Sequence, residues 1–190
     1  MDTFRIGFKV FMDEGEDVPT ETWFEVFNTW IPEPDNDVLI DVADYTHLKN
    51  GPQTILVGHN AHYVLDTTEG RFGFLYDRKR GLDGSLASKI EEVISAALRA
   101  CKRLDEDARL SGKIGFTGGR ATQVLLKDRL GTGSGSVDTL KVELKPIMDR
   151  LYGGARCEIA ADEDPKRPLT VNIRAEGEHS PAQMLENIGG

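Results

Sequence analysis

Phe4-Arg-Ile-Gly-Phe-Lys-Val-Phe-Met12 decides the reading of this chain, because Phe4, Ile6, Phe8, Val10 and Met12 alternate with residues that are mainly polar or small. A period of two belongs to a strand with one face in a core. An acidic turn over residues 13–17 and Pro19 follow. Trp23, Phe27, Trp30 and Ile31 then fall on a single helical stripe, closed by Pro32 and Pro34. Two apolar runs come next, Asp37-Val-Leu-Ile-Asp-Val-Ala-Asp-Tyr45 and Thr54-Ile-Leu-Val-Gly-His59, split by the turn signal Lys49-Asn-Gly-Pro52. They read as two central strands. Residues His62–Asp66 and Arg71–Tyr76 read as a hairpin around Thr67–Gly70, so the first half holds about five strands with a helix on them.

Working outward, Leu86, Ile90, Val93, Ile94, Ala97 and Leu98, continued by Cys101 and Leu104, keep helical spacing. Ser85 is placed to cap the start, and Lys102 and Arg103 lie near the end. Gly112 punctuates the exit, and Ile114–Phe116 and Gln123–Leu126 are short strand candidates. The Gly/Ser segment 131–136 opens a third helix through Leu140, Leu144, Ile147 and Leu151, in which Pro146 predicts a kink or a split. Arg156–Ala161 and Leu169–Ala175 read as a closing hairpin. The expected class is α+β: mixed, largely antiparallel sheet or sheets with about three helices packed on them. Residues 1–175 read as one α+β domain, whose order of elements admits two related halves, 1–110 and 111–175. Residues 176–190 read as a mobile C-terminal tail in which Met184, Leu185 and Ile188 would make one turn of a docking peptide.

With 190 residues, 39% of them hydrophobic and 29% charged, the chain has the apolar surface for a proper core. The balance of 32 acidic against 23 basic residues, a formal charge of −9, repels a polyanion and argues against nucleic acid as a partner. Arg71, Arg78, Lys79 and Arg80 are too few to reverse that field. No run of roughly 18 apolar residues occurs and the first residues lack a signal-peptide pattern, so no membrane contact and a cytoplasmic location are expected. Cys101 and Cys157 lack CxxC spacing and read as reduced thiols, a disulfide between them depending on a Cα separation that sequence does not supply.

Three of the four histidines, His47, His59 and His62, fall within 16 positions at the ends of predicted strands, close to Asp41, Asp44 and Glu69. Imidazoles and carboxylates gathered there are what a divalent metal or an acid–base pair requires. The metal candidates are therefore His47, His59 and His62, and the catalytic candidates Asp41, Asp44 and His59. Against this, HExxH is absent, and a straight strand would turn His59 and His62 to opposite faces. Asp41, set among Leu39, Ile40, Val42 and Ala43, would be costly to bury alone and is expected to pair with an arginine such as Arg71, Arg120 or Arg129. Tyr45 and Tyr76 read as core aromatics. Lys127, Arg129, Gly133 and Ser136 form a phosphate- or nucleotide-binding candidate, since glycines before a helix expose N–H groups to an anion. The GxGxG pattern is neither GxGxxG nor a P-loop, and a flexible connection is the simpler reading. GxSxG is missing, so covalent catalysis is not expected.

Ile40-Asp-Val-Ala-Asp-Tyr45, Gly51-Pro52 through Val57-Gly-His59, and Lys127-Asp-Arg-Leu130 resemble segments of an uncharacterised bacterial protein family of about this size. The resemblance implies bacterial origin and carries no functional residue with it. Two tryptophans, a hydrophobic first strand and a docking-like tail are easier to explain by association than by a reaction. The leading expectation is a homo-oligomer or a binder of a protein partner, acting through an exposed aromatic or strand-edge surface. The alternatives are a small metal-assisted hydrolase on the histidine cluster and a phosphate or nucleotide binder at residues 127–136.

Overall fold

In chain order the elements are β1 (Ile6–Phe11), α1 (Thr20–Trp30), β2 (Leu39–Asp44), β3 (Pro52–Gly58), β4 (Ala61–Asp66), β5 (Gly73–Arg78), α2 (Leu86–Asp105), β6 (Ala121–Leu130), α3 (Ser134–Leu151), β7 (Cys157–Ala161), β8 (Pro168–Ala175) and α4 (Pro181–Asn187). They come from a computed structural model that describes residues 5–13, 15, 17–130, 134–162, 164 and 166–189. The strands form one open sheet, ordered β2-β3-β4-β5-β1-β6-β8-β7. Every neighbouring pair is antiparallel, so the sheet is not mixed. The reason lies in the crossovers. Helix α1 delivers the chain from β1 to β2 and α3 from β6 to β7, in each case to a strand running the same way that is not its neighbour.

All four helices lie on one face, where Ile6, Phe8 and Val10 of β1 join Trp23, Phe27, Ile94, Leu144 and Met184 in one continuous core. Helix α1 buries Trp23, Phe27 and Trp30, the stripe its spacing predicts, and the Ser85 hydroxyl caps α2 by accepting from the Ser88 amide. Helix α3 continues through Pro146 as one element, so the proline does not split it. A proline inside a helix costs about 3 kcal/mol, whereas full burial of Leu144, Ile147, Met148 and Leu151 on both sides of it contributes about 2 kcal/mol each. Burial wins.

Four further expectations are corrected. Helix α4 makes the helix count four rather than three among the described residues. It replaces the mobile tail, because Met184 and Leu185 are buried and α4 packs on α2. Ile114–Phe116 is a loop holding a single bridge, in which the Asp13 amide donates to the Gly115 carbonyl at 2.8 Å. Strand β2 is an edge strand, not a central one, and Ile40 is 57% exposed upon it. The order β-α-ββ-α over residues 121–187 recurs over residues 6–105 with the hairpin β2-β3 inserted after the first helix, and the two runs meet at the antiparallel β1–β6 seam. No helix among the described residues is long and apolar enough to cross a membrane.

Candidate functional site

The second face of the sheet carries no helix among the described residues, yet its centre is buried. Its side chains come from the alternate positions of the same strands: Gly7, Lys9 and Phe11 of β1 beside Leu75 and Asp77 of β5, His62, Val64 and Asp66 of β4, and Gln123, Leu125 and Lys127 of β6. Val64, Leu75 and Leu125 form a small separate apolar cluster there, with Ile55 packed against it. A cavity of about 330 Å³ opens over this floor, lined from Pro52 and Ile55 on β3 to Arg167 and Pro168 at the start of β8. Four strands separate β3 from β8, which in a flat sheet would hold them roughly 24 Å apart. The sheet therefore curls, and the turn before β8 leans across it. Arg167 pairs with both Glu69, between β4 and β5, and Asp162. The face is concave, and concavity is what dries its centre.

Two ion pairs stand inside. Lys9 is 2% exposed; its Nζ donates to Asp66 Oδ2 and to the Arg71 carbonyl, both at 2.6 Å, and the Thr68 hydroxyl donates to Asp66 Oδ1 at 2.7 Å. Gly73 makes room for this. A Cβ there would sit 2.6 Å from the Val10 carbonyl oxygen and 2.9 Å from Lys9 Cε. Burial holds the Lys9 ammonium below its ordinary pKa, with Asp66 acting in the opposite direction. Lys127 Nζ donates to Asp77 Oδ2 at 2.5 Å. Further along, Asn172 Oδ1 accepts from Gln123 at 2.8 Å and from Arg71 at 3.1 Å, and the Arg71 guanidinium lies 3.6 Å from the centre of the Phe11 ring.

Among the described residues, three buried side-chain polar atoms have no hydrogen-bond partner: Arg5 Nε, His62 Nδ1 and Asp77 Oδ1. All three gather at one end of this face. His62 and Asp77 are directly opposite across β4 and β5. The Lys127 amide donates to the Arg5 carbonyl at 2.8 Å, extending the β1–β6 register so that Arg5 faces Lys127. Lys79 Nζ lies 3.4 Å from His62 Nε2. Burial, then Lys79, lowers the His62 pKa; Asp77 opposes this, and Lys127 and Arg5 add to the lowering. Unpartnered polar atoms in a dry site are costly.

The histidines expected to share a metal are kept apart. His47 lies in the β2–β3 turn and His59 in the β3–β4 turn, at opposite ends of β3, while His62 points into the concave face. A seven-residue strand spans roughly 20 Å. Accordingly, no three His, Cys, Asp or Glu side chains among the described residues could hold a metal ion. Asp41 is exposed and makes no arginine pair among the described residues, which leave out the Arg129 side chain; its Oδ1 accepts from its neighbour, the Val42 amide, at 2.8 Å. Asp44 Oδ1 accepts from the Thr46 amide, a bond that holds its carboxyl below the usual range. Tyr45 is exposed, not a core aromatic, whereas Tyr76 is buried. Of the phosphate candidates, Lys127 is committed to Asp77; Gly133 and the side chains of Arg129 and Ser136 lie outside the described residues. Cys101 and Cys157 are free thiols, burial pushing that of Cys157 up to about 11.

A second cavity of about 330 Å³ opens on the helix side, where Trp30, Tyr63 and Tyr76 form an edge-to-face row beneath Arg99 and Arg103. Arg99 is held by Asp35 at 2.7 Å, and Arg103 lies 4.6 Å from the centre of the Trp30 ring. None of the three unpartnered buried atoms is there. The sequence reading missed Lys9, Asp66 and Asp77. One signal was available: His62-Tyr-Val-Leu-Asp66 and Phe72-Gly-Phe-Leu-Tyr-Asp77 are apolar on successive positions, as strands buried on both faces are. No family model matches this chain, and no curated protein matches it.

Proposed function

We propose that this protein binds a small amphipathic molecule in the concave face of its sheet. The observation that carries the reading is that two unpartnered buried atoms, His62 Nδ1 and Asp77 Oδ1, belong to residues lining one end of a cavity with a hydrocarbon floor, with Arg5, whose Nε is also unpartnered, next to Lys127 on the same face. A cavity of this size, mostly apolar with a few convergent polar groups and shifted titrations, has the make-up of a ligand site. The two runs of β-α-ββ-α order, read as related halves, would place that site on the sheet they share. The test is a screen of small alcohols, amines and carboxylates by amide chemical-shift mapping. Ligands should move the Val64, Leu75, Gln123 and Leu125 amides of the native chain, and Ile55→Trp, a substitution at the partly buried wall of the cavity, should abolish those shifts. Shifts elsewhere only, or none, would sink the proposal.

A second reading, self-association or partner binding, is favoured by one surface. Val38, Ile40, Tyr45 and Leu48, 66%, 57%, 38% and 37% exposed, cluster on and beside edge strand β2. The edge is partly blunted. The Tyr45 amide donates to the Gln53 carbonyl of β3, so alternation turns the Val42 N–H outward, and the Asp41 carboxylate covers it. If this surface associates, sedimentation should show a mass that rises with concentration and falls back to the monomer in Ile40→Glu; a concentration-independent monomer would refute it.

A further inference from the structure

Resting on the binding reading above, we infer that the ligand is a small carboxylate with a hydrocarbon body and a hydroxyl or ammonium group beside the carboxylate. The charge around the unpartnered atoms points to the anion. Arg5 and Lys127 face each other across β1 and β6, an arrangement of like charges that is unfavourable unless an anion lies between them. Asp77 answers Lys127 alone, through Oδ2. Neither Arg5 nor Lys79 stands in an ion pair among the described residues, and Lys79 has only the imidazole of His62 as a hydrogen-bond neighbour. Arg5, Lys79 and Lys127 thus leave an excess of positive charge around His62, beside the end of the cavity, on a chain whose formal charge is −9.

The second polar group follows from Asp77. Its Oδ1 is buried, accepts from no donor among the described residues, and would repel a bare carboxylate placed against Arg5 and Lys79. A donor next to the carboxylate satisfies that oxygen and removes the conflict. The body of the molecule then lies over Val64, Leu75 and Leu125, with Ile55 as its wall. A neutral alcohol would leave Arg5 unanswered, and an amine would add positive charge beside Arg5, Lys79 and Lys127.

Calorimetric titration of the full chain with 2-hydroxyoctanoate, octanoate, octanol and octylamine tests this. The hydroxy acid should bind tightest, octanoate next, and octanol about tenfold or more weakly than the hydroxy acid. Arg5→Gln and Lys79→Gln, each with an unchanged unfolding midpoint, should weaken the two acids about tenfold while leaving octanol unmoved. Octanol or octylamine binding as well as the hydroxy acid would overturn the inference and leave the cavity reading standing. Octanoate equal to the hydroxy acid would overturn the assigned donor. Failure of all four to bind would overturn the cavity reading itself.

Discussion

Replacing Lys9 by methionine should cost the native state about 3–5 kcal/mol, because it removes one member of a buried ion pair and strands the other. Lys9 and Asp66 are 2% and 5% exposed, and their charged atoms are 2.6 Å apart. Without the ammonium, Asp66 retains the Thr68 hydroxyl as a side-chain donor, and the Arg71 carbonyl loses the donor it has from Lys9. The pair itself need not be stabilising, since desolvation of two charges offsets most of their attraction. The double variant Lys9→Met with Asp66→Leu, which replaces both charges by apolar groups, should therefore return to within about 2 kcal/mol of the native protein. Urea unfolding of the four proteins gives the cycle, and the coupling between the two sites should exceed about 2 kcal/mol. For a chain of this length the single change should lower the melting temperature by roughly 6–20 °C. A single-variant cost below about 1 kcal/mol, the range of exposed pairs, or an additive cycle, would mean that water reaches Lys9. The concave face would then not be dry, and the physical basis for a binding site there would fail.

His62 supplies a pH test with a definite sign. Its folded pKa lies below the ordinary 6.5, with Lys79, Asp77, Lys127 and Arg5 facing it, so the unfolded chain takes up a proton that the native chain resists. The resulting stability is fully present above pH 6.5 and is lost as pH falls through the folded pKa. Urea midpoints recorded between about pH 8 and pH 5 should fall less steeply in His62→Gln than in the native protein, and identical slopes would contradict the assignment. Met184→Ala should cost about 2–5 kcal/mol, because Met184 is fully buried between α4 and the rest of the helical layer. An unchanged unfolding midpoint would restore the idea of a loose tail.

Much of the fold was legible along the chain, and the particular successes share a cause. The stripe Trp23, Phe27, Trp30 and the run from Leu86 to Leu104 became α1 and α2 because helical periodicity is local and each stripe names its own buried face. The alternation of Ile6, Phe8 and Val10 became β1 for the same reason. Local rules failed where burial overrode them, as in α3, where packing on both sides of Pro146 holds one continuous helix. They also failed for the tail, whose short amphipathic turn could not declare which surface it meets.

The candidate site was mostly illegible. His47, His59 and His62 look close because they are close in sequence, but strands carry neighbours to opposite ends and opposite faces. Lys9 looked like a solvent-facing residue on the polar side of β1, and its partner Asp66 lies 57 positions away.

The sequence by itself determined most of the elements, the α+β class and which faces of α1 and α2 are buried, since these depend on spacings of two to four residues. Only the tertiary structure decided the strand order, the curl that dries the helix-free face, and the meeting of Arg5, His62 and Asp77 at one end of it. Those depend on pairings between segments far apart in the chain, and no local periodicity carries the register that brings such residues to the same place.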